Sequence, residues 1–302
     1  WASLAKIDEV TRGQGKVIPS RQVQVIQSQD GGVVTEILVR EGDKVKKGQV
    51  LVRLDRIKIA AAVAESEGKV ASYIHGGGVK GVLVEVGCET DFVARNEDFG
   101  KVVAQLVAQR VHSTAADIET FLAEPFAADP SQSVTEFVKI TSSKTGEAVN
   151  VKRVARFDAG ESGVVGMYRH HNGKLATLVQ VTASTPEAAA HEATQQLVKF
   201  IAEHIAAAAP LAVDRTGVPA ETIESEKRIA EEQARETGKP EAMIEKIATG
   251  KIEAFLKDVT LMPQSWVRDP AITIAALVKD HAERAGGTIT VDRFARLQLG
   301  AE

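Results

Sequence analysis

The sequence predicts an α+β fold: two duplicated subdomains of antiparallel sheet covered by helices, with a helical coiled-coil hairpin inserted in the second and a short all-β segment ahead of both. Three observations carry this prediction. Tyr73-Ile74-His75-Gly76-Gly77-Gly78 is echoed by Tyr168-Arg169-His170-His171-Asn172-Gly173, and each leads into a valine-rich strand. Val149-Asn150-Val151-Lys152-Arg153-Val154-Ala155-Arg156-Phe157 is echoed by Ile289-Thr290-Val291-Asp292-Arg293-Phe294-Ala295-Arg296-Leu297. Between the echoes, apolar residues recur at helical rather than strand spacing. Two echoes in the same order mean an internal duplication, each copy closing on its own small core. The division expected is 1–55, 57–160 and 161–302, with the inserted arm at 218–258.

Residues 1–55 differ in character from the rest. Valine-rich runs at 23–26, 33–39 and 50–54 are separated by Asp30-Gly31-Gly32 and Glu41-Gly42-Asp43, which predicts short strands joined by tight turns. Near Ile57 the chain turns alanine-rich, and residues 58–65 favour a helix ending around Gly68. Gly76-Gly77-Gly78 then makes a hairpin turn into the strand 81–86, Gly81-Val82-Leu83-Val84-Glu85-Val86.

At Gly87 the strand pattern stops, and from Asp98 Phe99, Val102, Val103, Leu106 and Val107 mark a helix to about Val111. The intervening Cys88-Glu89-Thr90-Asp91-Phe92-Val93-Ala94-Arg95-Asn96 is therefore a strand-to-helix connection, with Asp91 and Phe92 on a tip facing solvent. A phenylalanine there either packs under its own helix or meets a partner. A second helix is expected at 116–122, broken off by Pro125 and Pro130.

In the second copy a strand at 175–181 precedes a helix over 187–208, with Ala190, Thr194, Leu197, Ile201 and Ile205 on one stripe. This copy is longer by roughly 45 residues. Pro219 opens a helix with Glu221 and Glu224 in its first turns, where the macrodipole favours carboxylates. Thr237-Gly238-Lys239-Pro240 stops it, and a partner helix follows from Glu241 to about Lys257. Ile223, Ala230 and Ala234 on one helix face Met243, Ile244 and Ile247 on the other. One narrow apolar stripe per helix predicts two helices zipped together and projecting from the body.

Composition excludes several functions. A net charge of −4 gives no basic field for nucleic acid, and 4% aromatics leaves no stacking platform for single strands. One cysteine permits no internal disulfide and suits a reducing compartment. With seven scattered histidines, it builds no zinc site of the usual spacing. No apolar run reaches the roughly 18–20 residues of a membrane span. There is no Gly-x-Ser-x-Gly elbow and no Gly-x-x-x-x-Gly-Lys phosphate loop. Adjacent histidines on a strand point to opposite faces, so His170 and His171 are not expected to form a ligand pair. Cys88 ends a buried strand with no local cation, which predicts an inert thiol.

The nine residues 88–96 resemble the signature loop of the elongation factor Ts family, and the resemblance runs from about residue 57 to the C-terminus. One departure adjoins it: Gly87 stands where the family usually has asparagine. The resemblance implies a translation elongation factor in the cytoplasm, with no enzymatic activity and no cofactor. It implies exchange of guanine nucleotide on the GDP form of elongation factor Tu, without direct contact to nucleic acid or membrane, and leaves a homo-oligomer possible. It carries partner contact to Thr90, Asp91, Phe92 and Val93, to His170 in the second copy, and to the coiled-coil arm. The family begins with a helical domain related to ubiquitin-associated domains; residues 1–55 stand in its place.

Residues 1–55 themselves are similar to the lipoyl-like half barrel of a type I secretion membrane-fusion protein, without the lysine-bearing turn that would carry lipoate or biotin. Such proteins split this barrel around a long helical hairpin. The second half is missing here, and half a barrel exposes unpaired edges. A composite chain is the expected account. The alternative this raises is a transport-adaptor fragment in which residues 1–55 set location and the remainder is passenger.

Overall fold

The computed structural model describes residues 34–37, 39, 52–54, 67–237 and 240–301. The chain divides into two compact units, residues 1–66 and residues 67–302. In the first, β1 (Val34–Ile37) pairs antiparallel with β2 (Val52–Leu54). The helix expected over 58–65 and the remaining strands of this segment lie outside the described residues. Gly68, expected to end that helix, instead lies inside a strand.

The second unit opens with β3 (Glu67–His75), which turns through Gly76–Gly78 into β4 (Lys80–Cys88). All three turn glycines have positive φ, from 62° to 108°, a region that costs a side chain dearly. A one-turn helix α1 (Asp91–Arg95) and the long α2 (Glu97–His112) follow, then α3 (Ile118–Ala123). The chain next forms a two-strand ribbon, β5 (Pro125–Phe126) and β6 (Asp129–Ser133), before α4 (Val134–Thr145) and β7 (Asn150–Asp158).

The second copy repeats this order. It comprises β8 (Gly163–Arg169), β9 (Leu175–Ala183), the one-turn α5 (Pro186–Ala190) and α6 (Glu192–Ala208). The arm α7 (Ala220–Glu236) and α8 (Glu241–Val259) is inserted next. The ribbon β10 (Ser265–Trp266) and β11 (Asp269–Thr273), α9 (Ile274–Arg284) and β12 (Ile289–Gln298) complete it. The two sheets have matching antiparallel orders, β3-β4-β7 and β8-β9-β12.

Helices α4 and α9 are not among the expected elements; ahead of α4, Pro125 and Pro130 read only as a break. Their start signals were nonetheless present. Ser133 and Glu136 form a reciprocal capping box at α4, and Thr273 caps α9 in the equivalent place. The ribbons themselves echo each other, Phe126-Ala127-Ala128-Asp129-Pro130 against Trp266-Val267-Arg268-Asp269-Pro270. The helix expected over 116–122 is the shorter α3, begun by Asp117, whose carboxylate accepts from the Thr120 N–H at 2.7 Å.

Strand β4 is buried along nearly its whole length, so it is a central strand rather than a half-exposed one, and it runs through Gly87 to Cys88. Val82, Val84 and Val86 pack outward against Phe99, Val103 and Leu106 of α2. Leu83 points the other way and joins Val70 and Phe157 against Val165, Leu178 and Leu297 of the second sheet. The two sheets therefore lie face to face between two helical layers. On the far side Val179 and Val181 meet Leu197, Ile201 and Ile205 of α6. At Gly166 the α6 backbone comes so close that an added Cβ would sit 2.7 Å from the carbonyl oxygen of Val198.

The arm's buried positions are Ala230 and Ala234 against Ile244 and Ala248, while Met243, expected in the seam, is 49% exposed. At the base Ile252 and Leu256 pack on Ala212 and Val218, so the arm is anchored rather than wholly separable. Replacing residues 224–250 by a short glycine-serine link is expected to leave the thermal transition cooperative, since loop closure costs little. Extending the replacement through Leu256 should lower the melting temperature by several degrees, as it opens that base cluster. Circular dichroism melts of the two variants check both outcomes.

Candidate functional site

The exposed turn α1 is shaped by four residues with separate tasks. Thr90 caps it, its hydroxyl accepting from the Val93 N–H at 3.4 Å. Asn96 ends it and starts α2, its side chain accepting from the Asp98 N–H at 2.7 Å. Val93 and Ala94 are buried in the core of the first copy. The same turn therefore throws Asp91 and Phe92 outward, and Phe92 is 83% exposed. Asp91 pairs with Arg95 at 3.1 Å, one helical turn on.

Glu147 holds this turn from 57 residues away. Its carboxylate accepts from the Thr90 N–H at 3.0 Å and from the Thr90 hydroxyl at 2.6 Å. Two such charge-assisted bonds fix the cap residue, and through it the direction of the ring two positions on. Sequence reasoning missed Glu147 because no local pattern links it to Thr90. Glu147→Ala is expected to cost about 1–2 kcal/mol and to speed amide exchange at Val93 and Ala94, read by native-state hydrogen exchange.

Cys88 is fully buried beneath the turn, its thiol directed to the Thr90 carbonyl at 3.3 Å. Burial first, then the nearby Glu147 and Glu67 carboxylates, push the thiol up to about 11. It is a packing residue and not a nucleophile.

The second copy contains the same device without the phenylalanine. The helix expected over 187–208 is divided at His191, which ends α5 and caps α6 as Asn96 ends α1 and caps α2. Thr185 caps α5 as Thr90 caps α1. Ala188 and Ala189 are buried where Val93 and Ala94 are, while Ala190, expected on the buried stripe, is exposed. The outward pair is Pro186-Glu187 instead of Asp91-Phe92. Two turns of one design thus differ in what they present to solvent.

His170 and His171 lie beyond the end of β8 in the turn to β9, not within a strand, so the expectation of opposite faces fails. Their rings pack with centroids 4.2 Å apart, and His170 Nδ1 is 3.0 Å from the Tyr168 hydroxyl. This turn faces α2 across a groove also lined by Gly100, one turn from the α2 N-terminus. That groove runs along α2 from Gly100 to His112. Among the described residues no group of three histidine, cysteine, aspartate or glutamate side chains is placed to hold a metal ion. No described helix is long and apolar enough to cross a membrane.

Residues 89–301 match the family model described as elongation factor TS. The chain belongs to the elongation factor Ts family. Curated relatives named elongation factor Ts include one from Trichlorobacter lovleyi, 38% identical over 80% of this chain and 77% of its own length. Another, from Azoarcus sp., is 40% identical over 79% of this chain and 76% of its own length. A third, from Nostoc sp., is 35% identical over 94% of this chain and 92% of its own length, which carries the similarity into the segment before residue 57. The elongation factor Ts match makes the chain a translation elongation factor of protein biosynthesis. Residues 22–54 match a different model, described as biotin-requiring enzyme.

Proposed function

We propose that this chain promotes GDP release from elongation factor Tu by protein–protein contact in the cytoplasm, performing no bond chemistry of its own. The observation that carries the proposal is Phe92. It is 83% exposed on a turn that a cap, a carboxylate clamp and two buried neighbours hold in place, while the matching turn of the second copy presents Pro186-Glu187. A rigidly presented apolar ring loses free energy in water and recovers it inside a partner.

On this reading Asp91 and Phe92 enter the nucleotide domain of the GDP form and disturb the elements that hold magnesium, with Thr90 and Val93 shaping the entering turn. Exchange then follows from linkage: a factor that binds best to the nucleotide-free state lowers nucleotide affinity by the same factor. Burying one phenylalanine is worth roughly 1.5–3 kcal/mol, or about one to two orders of magnitude in affinity. Larger effects need further contacts, for which the His170 turn and the arm are the proposed sources. Release of a fluorescent GDP analogue from elongation factor Tu, with and without this chain, tests the reading. An unchanged release rate overturns it.

A further inference from the structure

Strand β3 is an edge strand, since its sheet runs β3-β4-β7. Its Val70 N–H turns away from β4 and donates to the Gly173 carbonyl at 2.8 Å. Backbone groups alternate in direction along a strand, and the β3–β4 register has no bulge, so Ser72 directs its N–H and carbonyl outward too. Outside this edge lies a groove of about 880 Å³, walled by α2 on one side and by the turn after β8 on the other. The α2 wall is smooth, presenting Gly100, Ala104 and Ala108. Buried against the groove, the Ser72 hydroxyl oxygen has no hydrogen-bond partner.

The charge of the groove runs against that of the chain. The protein carries a net −4, yet among the described residues no carboxylate lines this space. Lys69 and Arg169 line it, the Lys69 ammonium lying 6.0 Å from the centroid of the Phe99 ring. His75, His112, His170 and His171 line it as well, with Tyr73 and Asn172.

We infer that the β3 edge is a second docking surface, which takes up an extended acidic segment of a partner protein as an added strand. Main-chain bonds to Ser72 supply affinity, the small residues of α2 leave room for apolar side chains, and Lys69 and Arg169 select acidic ones. The Gly173 carbonyl already takes the edge at Val70, so the open stretch begins at Ser72, where an extended segment can reach the edge. This inference goes beyond nucleotide exchange and shares with that reading only the His170 turn.

The test uses the full chain and two fluorescein-labelled ten-residue peptides, one alternating valine and glutamate, the other valine and lysine. Fluorescence anisotropy should show binding of the glutamate peptide only. Ala104→Glu, an exposed helix substitution, should weaken that binding at least tenfold, and Ala104→Lys should preserve or tighten it. Bound peptide should also slow amide exchange at Ser72. Equal binding of both peptides, absence of binding, or binding without protection of the Ser72 amide overturns the inference. Because no elongation factor is present in this assay, its failure leaves the exchange reading to be judged on its own.

Discussion

Phe92→Ala is expected to reduce GDP release from elongation factor Tu by an order of magnitude or more while changing stability by under about 1 kcal/mol. The asymmetry follows from where the ring packs. At 83% exposure it contributes little to its own core, and its removal leaves Thr90, Glu147, Val93 and Ala94 in place to hold the turn. A ring packed under its own helix would behave in the opposite way, costing roughly 3–5 kcal/mol on truncation. Asp91→Ala should likewise depress exchange with little loss of stability, because its pairing with Arg95 is largely solvated. Thermal melting and fluorescent-GDP release measured on the same preparations decide the matter. A large melting shift with unchanged release would sink the functional reading of the turn.

The largest expected effect on stability lies at the interface between the two sheets. Glu85 on β4 is 4% exposed, and Arg153 on β7 donates to its carboxylate at 2.6 Å. The same guanidinium donates to the Gln298 carbonyl of β12 at 2.6 Å, so one side chain ties the first sheet to the last strand of the second. Arg153→Ala leaves a carboxylate buried without its cation and should cost about 3 kcal/mol or more. The double variant Glu85→Leu with Arg153→Met should recover most of that loss, because the penalty comes from the uncompensated charge rather than from the missing contact. Urea denaturation of both variants is the measurement. A double variant as unstable as the single one would show that Arg153 acts through its volume or its bond to Gln298.

Glu147 and Arg153 share a property that kept both from being legible in advance. Each acts across more than 55 residues of chain, Glu147 on Thr90 and Arg153 on Glu85, and neither sits in a local pattern. By contrast Asp91 and Phe92 could be placed on an exposed tip, because a strand period ends before them and a helix period begins after them. Helix α4 was legible in part through Ser133-Val134-Thr135-Glu136, but the prolines ahead of it obscured it. The split of the long second-copy helix at His191 was not legible, since alanine-rich sequence on both sides continues the helical pattern. His191 decides it by capping α6 with its own ring nitrogen, which accepts from the Ala193 N–H at 3.1 Å.

Periodicity by itself determined the duplication, the α+β class, the inserted arm and the exposed turn, because hydrophobic spacing and echoed motifs are properties of neighbouring residues. Tertiary structure alone decided that the two sheets bury one face of each against the other. It also decided which arm residues form the seam, and that the tilted rings of His170 and His171 pack together in a turn facing α2. Those outcomes depend on which surfaces meet after the chain has folded back on itself. Leu83 and Glu85 show the difference: both look outward on a lone three-stranded sheet, and both become interior only when the second copy of the unit arrives.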